Sequence, residues 1–446
     1  MTAPAPEDAT SSPDRPYWTP LRVALWGLAA ALVGVWAGPR FVAAFRPPDA
    51  ALLDFTQEWL SAKNYRAGTP VYADQAETYP RHTGRPPNPP EALLRWNAHP
   101  PASVVLALPF GGLSYADAHA AWNLATFPLF VLSVVLILRE LRVPLRPASV
   151  FPLLALGLSC HPLVTQHLQG QLNAVLALLI VLAWVAERRG YAGWAGAAVG
   201  AAAAVKLFPA FLFLYFVAAG RWRALLPGAA AFLALNGVAL ALFGPEAFRT
   251  YARDVVPSVA ADYQTNWRNV SLWGFWLRIF DPQEKGRLAA LVHAPLAGRA
   301  VANVLRVVVT LLAARACWRA RGGERTDRAF AVTLTAMLLV SPISWNHYYL
   351  LLALPVAVVW WRLPPGLARR AMWPVLAVLW LPDHLAPLLA LGGARAIAMA
   401  RDARWALTPA ENLYTASVPH YALCALFVLA LLLPARSPGP DEPGGG

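Results

Sequence analysis

Residues 191–223 read YAGWAGAAVGAAAAVKLFPAFLFLYFVAAGRWR. The run is apolar apart from one break, at Lys206 and Pro209. It is bounded by Glu187-Arg188-Arg189 on one side and by Arg221 and Arg223 on the other. A run of about 20 apolar residues crosses a bilayer core, and cationic loops stay on the cytoplasmic side. With both arginine clusters on one side, this stretch must cross twice or dip and return. Two short helices meeting near Lys206 satisfy that.

The rest of the chain fits the same frame. Of its 446 residues 58% are hydrophobic and only 14% are charged, and its mean hydropathy is positive. A soluble chain of this length needs more polar surface, so the reading is an all-α polytopic integral membrane protein. The apolar segments are too long and continuous for barrel strands. The net charge of +13 would suggest nucleic acid in a soluble protein. Here most arginines occupy short loops between spans and act as topology signals, so no nucleic-acid partner is expected. Cys160, Cys317 and Cys424 lie in or beside apolar spans without a CxxC pair, which argues against a disulfide framework or a zinc site.

Taken in order, residues 1–20 read as a disordered cytoplasmic tail rich in proline, alanine and acid. Residues 21–434 form a single transmembrane domain, and residues 435–446 a second disordered cytoplasmic tail. Leu21 to Gly38 is the first span, an uncleaved anchor. A polar stretch from Arg46 to Pro100 follows. Within it Asp54, Glu58 and Ser61 share one helical face, and Phe55, Trp59 and Ala62 another, which suits a short helix lying in the membrane interface. Ala102 to Leu113 is apolar but too short to cross. Further spans alternate with arginine clusters, and a second long polar stretch runs from Gly244 to Pro295. The expected total is about twelve crossings, both ends cytoplasmic, with two long extracytoplasmic loops.

That alternation separates the residue types. The arginine clusters fall on one side. Asp54, His99, the HPLVTQHLQGQLN corner (161–173), Lys206, the NVS turn (269–271) and SPISWNHYY (341–349) fall on the other. Polar groups are too costly to leave against lipid, so six separated segments meeting one face is how a bundle of membrane helices builds a site.

With these motifs in view, the chain resembles the GT-C superfamily of membrane glycosyltransferases, and more narrowly glycosyltransferase family 87. That family includes polyprenyl-phosphate-mannose-dependent mannosyltransferases of actinobacterial glycolipid synthesis. The resemblance rests on Asp54 followed by Gly68 and Pro70-Val71-Tyr72, on Gly170-Gln171-Leu172-Asn173, on Lys206 with Phe208-Pro209, on Asn269-Val270-Ser271-Leu272, and on Ser341-Pro342-Ile343-Ser344-Trp345 with His347. It implies a GT-C-like helical bundle and an inverting transfer of a hexose, mannose in the narrower family. The donor would be a polyprenyl phosphate sugar. The acceptor would be a hydroxyl of a lipid or glycan on the outer face of the cell membrane. The chain departs from some relatives of the superfamily. Its first loop has no adjacent acidic pair, and His99-Pro100-Pro101 stands where an aromatic precedes the prolines. No metal and no cofactor are expected.

Inversion at the anomeric carbon needs a base on one face of the sugar and stabilisation of the leaving anion on the other. Asp54 matches the position of the family's base; on residue type alone it is equally a helix cap or a solvated acid. Lys206, in an alanine- and leucine-rich run, is a candidate for the donor phosphate, the alternative being a lysine that snorkels to water. His347 and Arg268 are further phosphate candidates. Gln171 and Asn173, at the start of a span, can hydrogen-bond sugar hydroxyls or serve the helix end. Asn269 joins the substrate-binding candidates, although Asn269-Val270-Ser271 also fits a glycosylation sequon. Trp59 and Trp345 can stack on a sugar ring or belong to an interfacial belt. A different class remains open: a lipid or solute transporter or flippase, with the same polar residues lining a pathway.

Overall fold

The structure is a computed structural model, and it describes residues 19–46, 53–87, 93–143, 146–266, 268–281, 290–321, 325–364, 366–380 and 408–434. The two expected tails lie outside the described residues apart from Thr19 and Pro20, and so does much of the segment between the last two expected crossings. The described residues are helical, without a strand.

Helix α1 spans Pro20–Phe45 and starts where the Thr19 hydroxyl accepts from the Arg22 amide. It overruns the expected first span by most of two turns. Its leucines at 21, 25, 28 and 32 are exposed, the signature of a helix facing lipid. After it come α2 (Phe55–Arg66), α3 (Gln75–Thr83), α4 (Pro101–Ala107), α5 (Tyr115–Glu140), α6 (Pro147–Ser159), α7 (His161–Gln169), α8 (Asn173–Arg188) and α9 (Ala192–Val205). The second half holds α10 (Phe213–Ala218), α11 (Trp222–Thr250), α12 (Val256–Tyr263), α13 (Leu272–Phe280), α14 (Pro295–Trp318), α15 (Thr326–Val340), α16 (Ala353–Arg362), α17 (Leu367–Trp380) and α18 (Val418–Leu431).

Among the described residues four helical runs are long and apolar enough to cross a membrane: Pro20–Phe45, Tyr115–Glu140, Trp222–Tyr263 and Pro295–Trp318. A fifth arises if the pair Pro409–Ala416 and Val418–Leu431, bent by 50°, is one span. The expected twelve crossings are therefore not matched by helix length. Helices α8 and α15 show why. They are 16 and 15 residues long, roughly 22–24 Å at 1.5 Å per residue, and buried along most of their length in the centre of the bundle. Apolar composition marks such helices as dry without saying whether they reach both surfaces.

The two long loops also differ from the expectation. The first carries α2 and α3 and leads directly into α4. The second begins as helix: the run from Trp222 continues past a kink at Gly244 (φ 73°, ψ 172°) and a wide turn at Tyr251–Val255 to Tyr263. Helix α2 was expected in the interface; instead nine of its twelve residues are buried, on both its polar and its aromatic sides. It is tucked inside the protein.

Helix–helix approach in lipid depends on close packing rather than on the hydrophobic effect. The tightest case is α9 on α11. A Cβ on Gly196 would meet the Ala224 carbonyl oxygen at 1.8 Å, and one on Gly200 the Gly228 carbonyl oxygen at 2.0 Å. Two small residues four apart on each helix let the backbones touch. This fixes α9, whose C-terminal end delivers Lys206.

Several helices run from an arginine-rich end to a polar end. At the arginine-rich end, Asp327 pairs with Arg188 Nη1 at 2.5 Å and Arg362 Nη2 at 3.0 Å, and Glu187 pairs with Arg221 Nε at 2.6 Å. Glu140 holds Arg189 and, at 3.4 Å, Arg188. The opposite ends of α5, α8, α9 and α15 lead to Tyr115, Gln171, Lys206 and Ser341, where the candidate site lies.

Candidate active site

Asp54 stands at the head of α2, with its backbone amide donating to Gln169 Oε1 at 3.2 Å. Its carboxylate accepts a hydrogen bond from the side-chain amide of Gln171. The carbonyl of that same amide accepts from Lys206 Nζ at 2.8 Å. One neutral group thus links an acid and a cation that lie 152 residues apart in the sequence. The two charges also fix which end of the Gln171 amide faces which partner.

The local sequence explains how Gln171 gets there. Gly170 ends α7 in the left-handed region (φ 62°), and a Cβ at this position would meet Phe55 Cβ at 2.6 Å. Glycine is required twice over, by conformation and by space. The chain then turns and starts α8 at Asn173.

Lys206 is buried at the break between α9 and the tight turn Phe208–Leu212. This is the meeting of two short helices expected there. Its ammonium lies 4.7 Å from the centre of the Tyr348 ring, and Phe208 stacks on the other partner of that contact, with ring centroids 5.0 Å apart. An aromatic face and an amide oxygen are modest partners for a buried cation, which leaves Lys206 capacity for an anion.

The SPISWNHYY segment brings the remaining groups. His347 is buried, with its ring 4.9 Å from that of Tyr348 and 6.3 Å from that of Trp345. Trp345 is half-buried and meets Tyr263 edge to face at 5.5 Å. Asp54 lies within electrostatic reach of Tyr263 and Tyr348. Asp54, Gln171, Lys206, Tyr348, His347 and Trp345 therefore form one continuous constellation.

Burial pushes the Asp54 carboxyl above its ordinary value. The Gln171 hydrogen bond and then the charges of His99 and Lys206 pull it back. A second carboxylate, Glu58, one turn along α2, is hydrogen-bonded to His99 Nδ1. His99 is held in turn, its carbonyl accepting from Tyr72 Oη at 2.5 Å. Further along the same face, Ser61 Oγ donates to the Val71 carbonyl at 2.8 Å and accepts from Asn97 Nδ2 at 3.2 Å. Every member of the polar face of α2 has found a partner on another segment.

Three expected site residues, Trp59, Arg268 and Asn269, are placed differently from their expected roles. Trp59 is buried, donates its indole N–H to the Leu113 carbonyl at 3.2 Å, and has its ring between Tyr115 and Lys63; no face is open for a sugar. Arg268 is exposed at the surface. Asn269 is fully buried and fully used: it donates to the carbonyls of Gln264 (3.0 Å) and Pro342 (2.9 Å) and accepts from the amides of Ser271 (3.1 Å) and Ser344 (3.0 Å). It staples two loops. Asn173 is buried at the first position of α8, and neither end of its amide has a hydrogen-bond partner.

Tyr348 and Tyr263 join the constellation without having been singled out; Glu58 and His99 were placed on the site face, but their pairing with each other was not. Tyr348 was adjacent to a candidate, but its contact with Lys206 is a tertiary fact. Among the described residues no group of three His, Cys, Asp or Glu side chains could hold a metal ion.

Residues 97–342 match the glycosyltransferase family 87 pattern, more than half of the chain. The chain belongs to glycosyltransferase family 87. The match takes in His99, Gln171, Asn173, Lys206 and Asn269; Asp54 precedes it, and Trp345 and His347 follow it. Among curated relatives of this family 87 chain is a polyprenol-phosphate-mannose-dependent alpha-(1-2)-phosphatidylinositol pentamannoside mannosyltransferase of Mycolicibacterium smegmatis. It is 28% identical over 335 residues, 73% of this chain and 66% of the relative. A polyprenol-phosphate-mannose-dependent alpha-(1-2)-phosphatidylinositol mannoside mannosyltransferase of Mycobacterium tuberculosis is 27% identical over 308 residues, 65% of this chain and 68% of the relative. The aligned region thus spans about two thirds of each relative's own length. No solved structure matches the chain.

Proposed function

We propose that this family 87 protein is an inverting membrane mannosyltransferase. It moves mannose from a polyprenyl-phosphate-mannose donor to a hydroxyl of a phosphatidylinositol-mannoside-type glycolipid on the extracytoplasmic face. The observation that carries this reading is the Asp54–Gln171–Lys206 connection: a base candidate and a buried cation, held apart by one amide. The donor and acceptor classes come from the relatives' names, and the face from the segregation of the arginine clusters.

In this mechanism the donor's phosphate takes Lys206, with His347 as its neighbour. The ammonium exchanges the Gln171 carbonyl for a phosphate oxygen, a stronger, charge-assisted partner. The acceptor hydroxyl lies against Asp54. As the bond from the anomeric carbon to the phosphate oxygen breaks, the acceptor oxygen bonds the same carbon from the other face. Its proton passes to Asp54, and the bonding electrons leave with the polyprenyl phosphate. Burial makes Asp54 a better proton acceptor than a solvated aspartate. Trp345, half-buried and backed by Tyr263, is the aromatic surface for the sugar, and Asn173 offers an unengaged amide.

A transporter would need charges distributed within several spans; here the polar groups collect at one end of the bundle, which does not favour it. The test is direct. Purified protein, synthetic polyprenyl-phosphate mannose and a phosphatidylinositol mannoside are incubated together, and the products are read by mass spectrometry. A mannose-extended lipid is expected; donor and acceptor both unchanged overturns the proposal.

A further inference from the structure

Arg278 is fully buried on α13. Its Nη1 donates to the carbonyls of Asn266, at 3.1 Å, and Asn269. Its Nε and Nη2 are buried and have no hydrogen-bond partner. Among the described residues no carboxylate pairs with it, whereas Arg188, Arg221 and Arg362 each face an acid. Its polar neighbours are already engaged. Tyr349 donates to the Pro419 carbonyl at 2.8 Å, and His420 Nδ1 is 2.8 Å from the Val270 carbonyl.

A guanidinium is always charged, and a buried charge left without a counter-charge costs several kcal/mol. Two carbonyls compensate one nitrogen. The two orphaned nitrogens form one edge of the guanidinium fork, which bonds two oxygens of a phosphate at once. Tyr421, 42% exposed on α18, packs its ring 5.7 Å from that of Phe275 and lies within electrostatic reach of the guanidinium. Of the residues that surround the guanidinium, Tyr421 is an exposed one.

We propose that Arg278 is the anion-binding residue of a second lipid-phosphate site, distinct from Lys206, that takes the phosphodiester of an anionic glycerophospholipid. Two sources share that chemistry: the acceptor glycolipid, an assignment that rests on the proposed transfer reaction, and a phospholipid of the surrounding bilayer.

The test uses the full chain, delipidated in detergent. Thermal unfolding is followed as mixed micelles of phosphatidylinositol, or of phosphatidylcholine as the zwitterionic control, are titrated in. This binding readout requires neither donor nor turnover. The wild type is expected to be stabilised by phosphatidylinositol and at least tenfold less effectively by phosphatidylcholine. Equal responses to the two lipids overturn the proposal without any variant. Arg278→Gln should lose the preference, and Arg278→Lys, which keeps the charge but not the fork, should retain it with about tenfold weaker binding. A fully retained preference in a folded Arg278→Gln protein also overturns it. In the transfer assay, a raised acceptor KM with unchanged donor KM for Arg278→Lys assigns the site to the acceptor. Unchanged kinetics alongside weakened phosphatidylinositol binding assigns it to a bilayer phospholipid.

Discussion

The side-chain carbonyl of Gln171 accepts from Lys206 at 2.8 Å while the amide nitrogen of the same side chain serves Asp54. A neutral group in this position keeps the acid and the ammonium from collapsing into a direct ion pair, which would occupy both. Gln171→Glu tests the arrangement. It removes a donor from Asp54 and sets a like charge beside it, and both changes raise the Asp54 pKa. The acidic limb of the pH profile of kcat/KM should move upward by at least about one unit, since ionised carboxylates this close do not readily coexist. A limb that stays in place separates Gln171 from the base.

Asp54 itself gives a paired prediction on rate and stability. Its folded-state carboxyl is raised by burial, so the native protein binds this proton more tightly than the unfolded chain does. The contribution to stability is present at low pH and is lost as pH rises through the raised value. At neutral pH the ionised group is a cost that the fold carries for the sake of the site. Asp54→Asn should therefore lower kcat by at least ~100-fold, the scale of a missing general base, while leaving the unfolding temperature at neutral pH equal to or above that of the wild type. For the wild type, transfer should fall on the acid side at a pH above that of an ordinary aspartate. Unimpaired turnover in the variant would remove Asp54 from the chemistry.

Lys206 is predicted to act through the donor. A hydrogen bond to a charged group contributes about 1.5–3 kcal/mol, so Lys206→Met should raise the donor KM roughly ten- to a hundredfold, with acceptor KM little changed. Tyr348→Phe keeps the ring under the ammonium and should behave as the wild type; Tyr348→Leu removes it and should weaken donor binding severalfold. Initial rates against donor concentration at fixed acceptor decide both. An unchanged donor KM in Lys206→Met would place the phosphate elsewhere.

What the sequence made legible follows from cost. An ammonium within an alanine-rich run is expensive in lipid, so Lys206 marked itself, and the helix break at Val205–Lys206 came with it. Asp54 was visible because it stands just beyond the first long apolar run. The polar face of α2 was visible by spacing, but its partners were not: the Glu58–His99 contact joins residues 41 apart, and helical periodicity carries no information about what packs on a face. For the same reason Trp59, on a helix buried all round, was assigned to a surface it does not reach. The expected number of crossings is not matched by helix length because α8 and α15 are as apolar as spans yet shorter, and apolar composition does not say whether a helix reaches both surfaces. Asn269 was visible as a motif, but its spacing could not distinguish a ligand for sugar from a staple for loops.

That last ambiguity can be resolved by measurement. Asn269 ties the Gln264–Ser271 stretch to Pro342 and Ser344, and Val270 adds a backbone bond to the Ser344 carbonyl at 2.8 Å. Gly274 leaves it the space, since a Cβ there would meet Asn269 Cγ at 2.4 Å. Asn269→Ala would orphan two buried amide donors and the Gln264 carbonyl, the Pro342 carbonyl keeping the Ser271 hydroxyl at 3.3 Å, at about 1–3 kcal/mol for each group left without a partner. As a staple, Asn269 should show its loss in the ligand-free protein. The unfolding temperature drops by several degrees, and proteolysis at the 264–271 loop accelerates before any donor is added. As a sugar ligand, it would instead leave the ligand-free protein unchanged and raise only the donor or acceptor KM. The four filled hydrogen bonds favour the first outcome, and an unaltered unfolding temperature in Asn269→Ala would refute it.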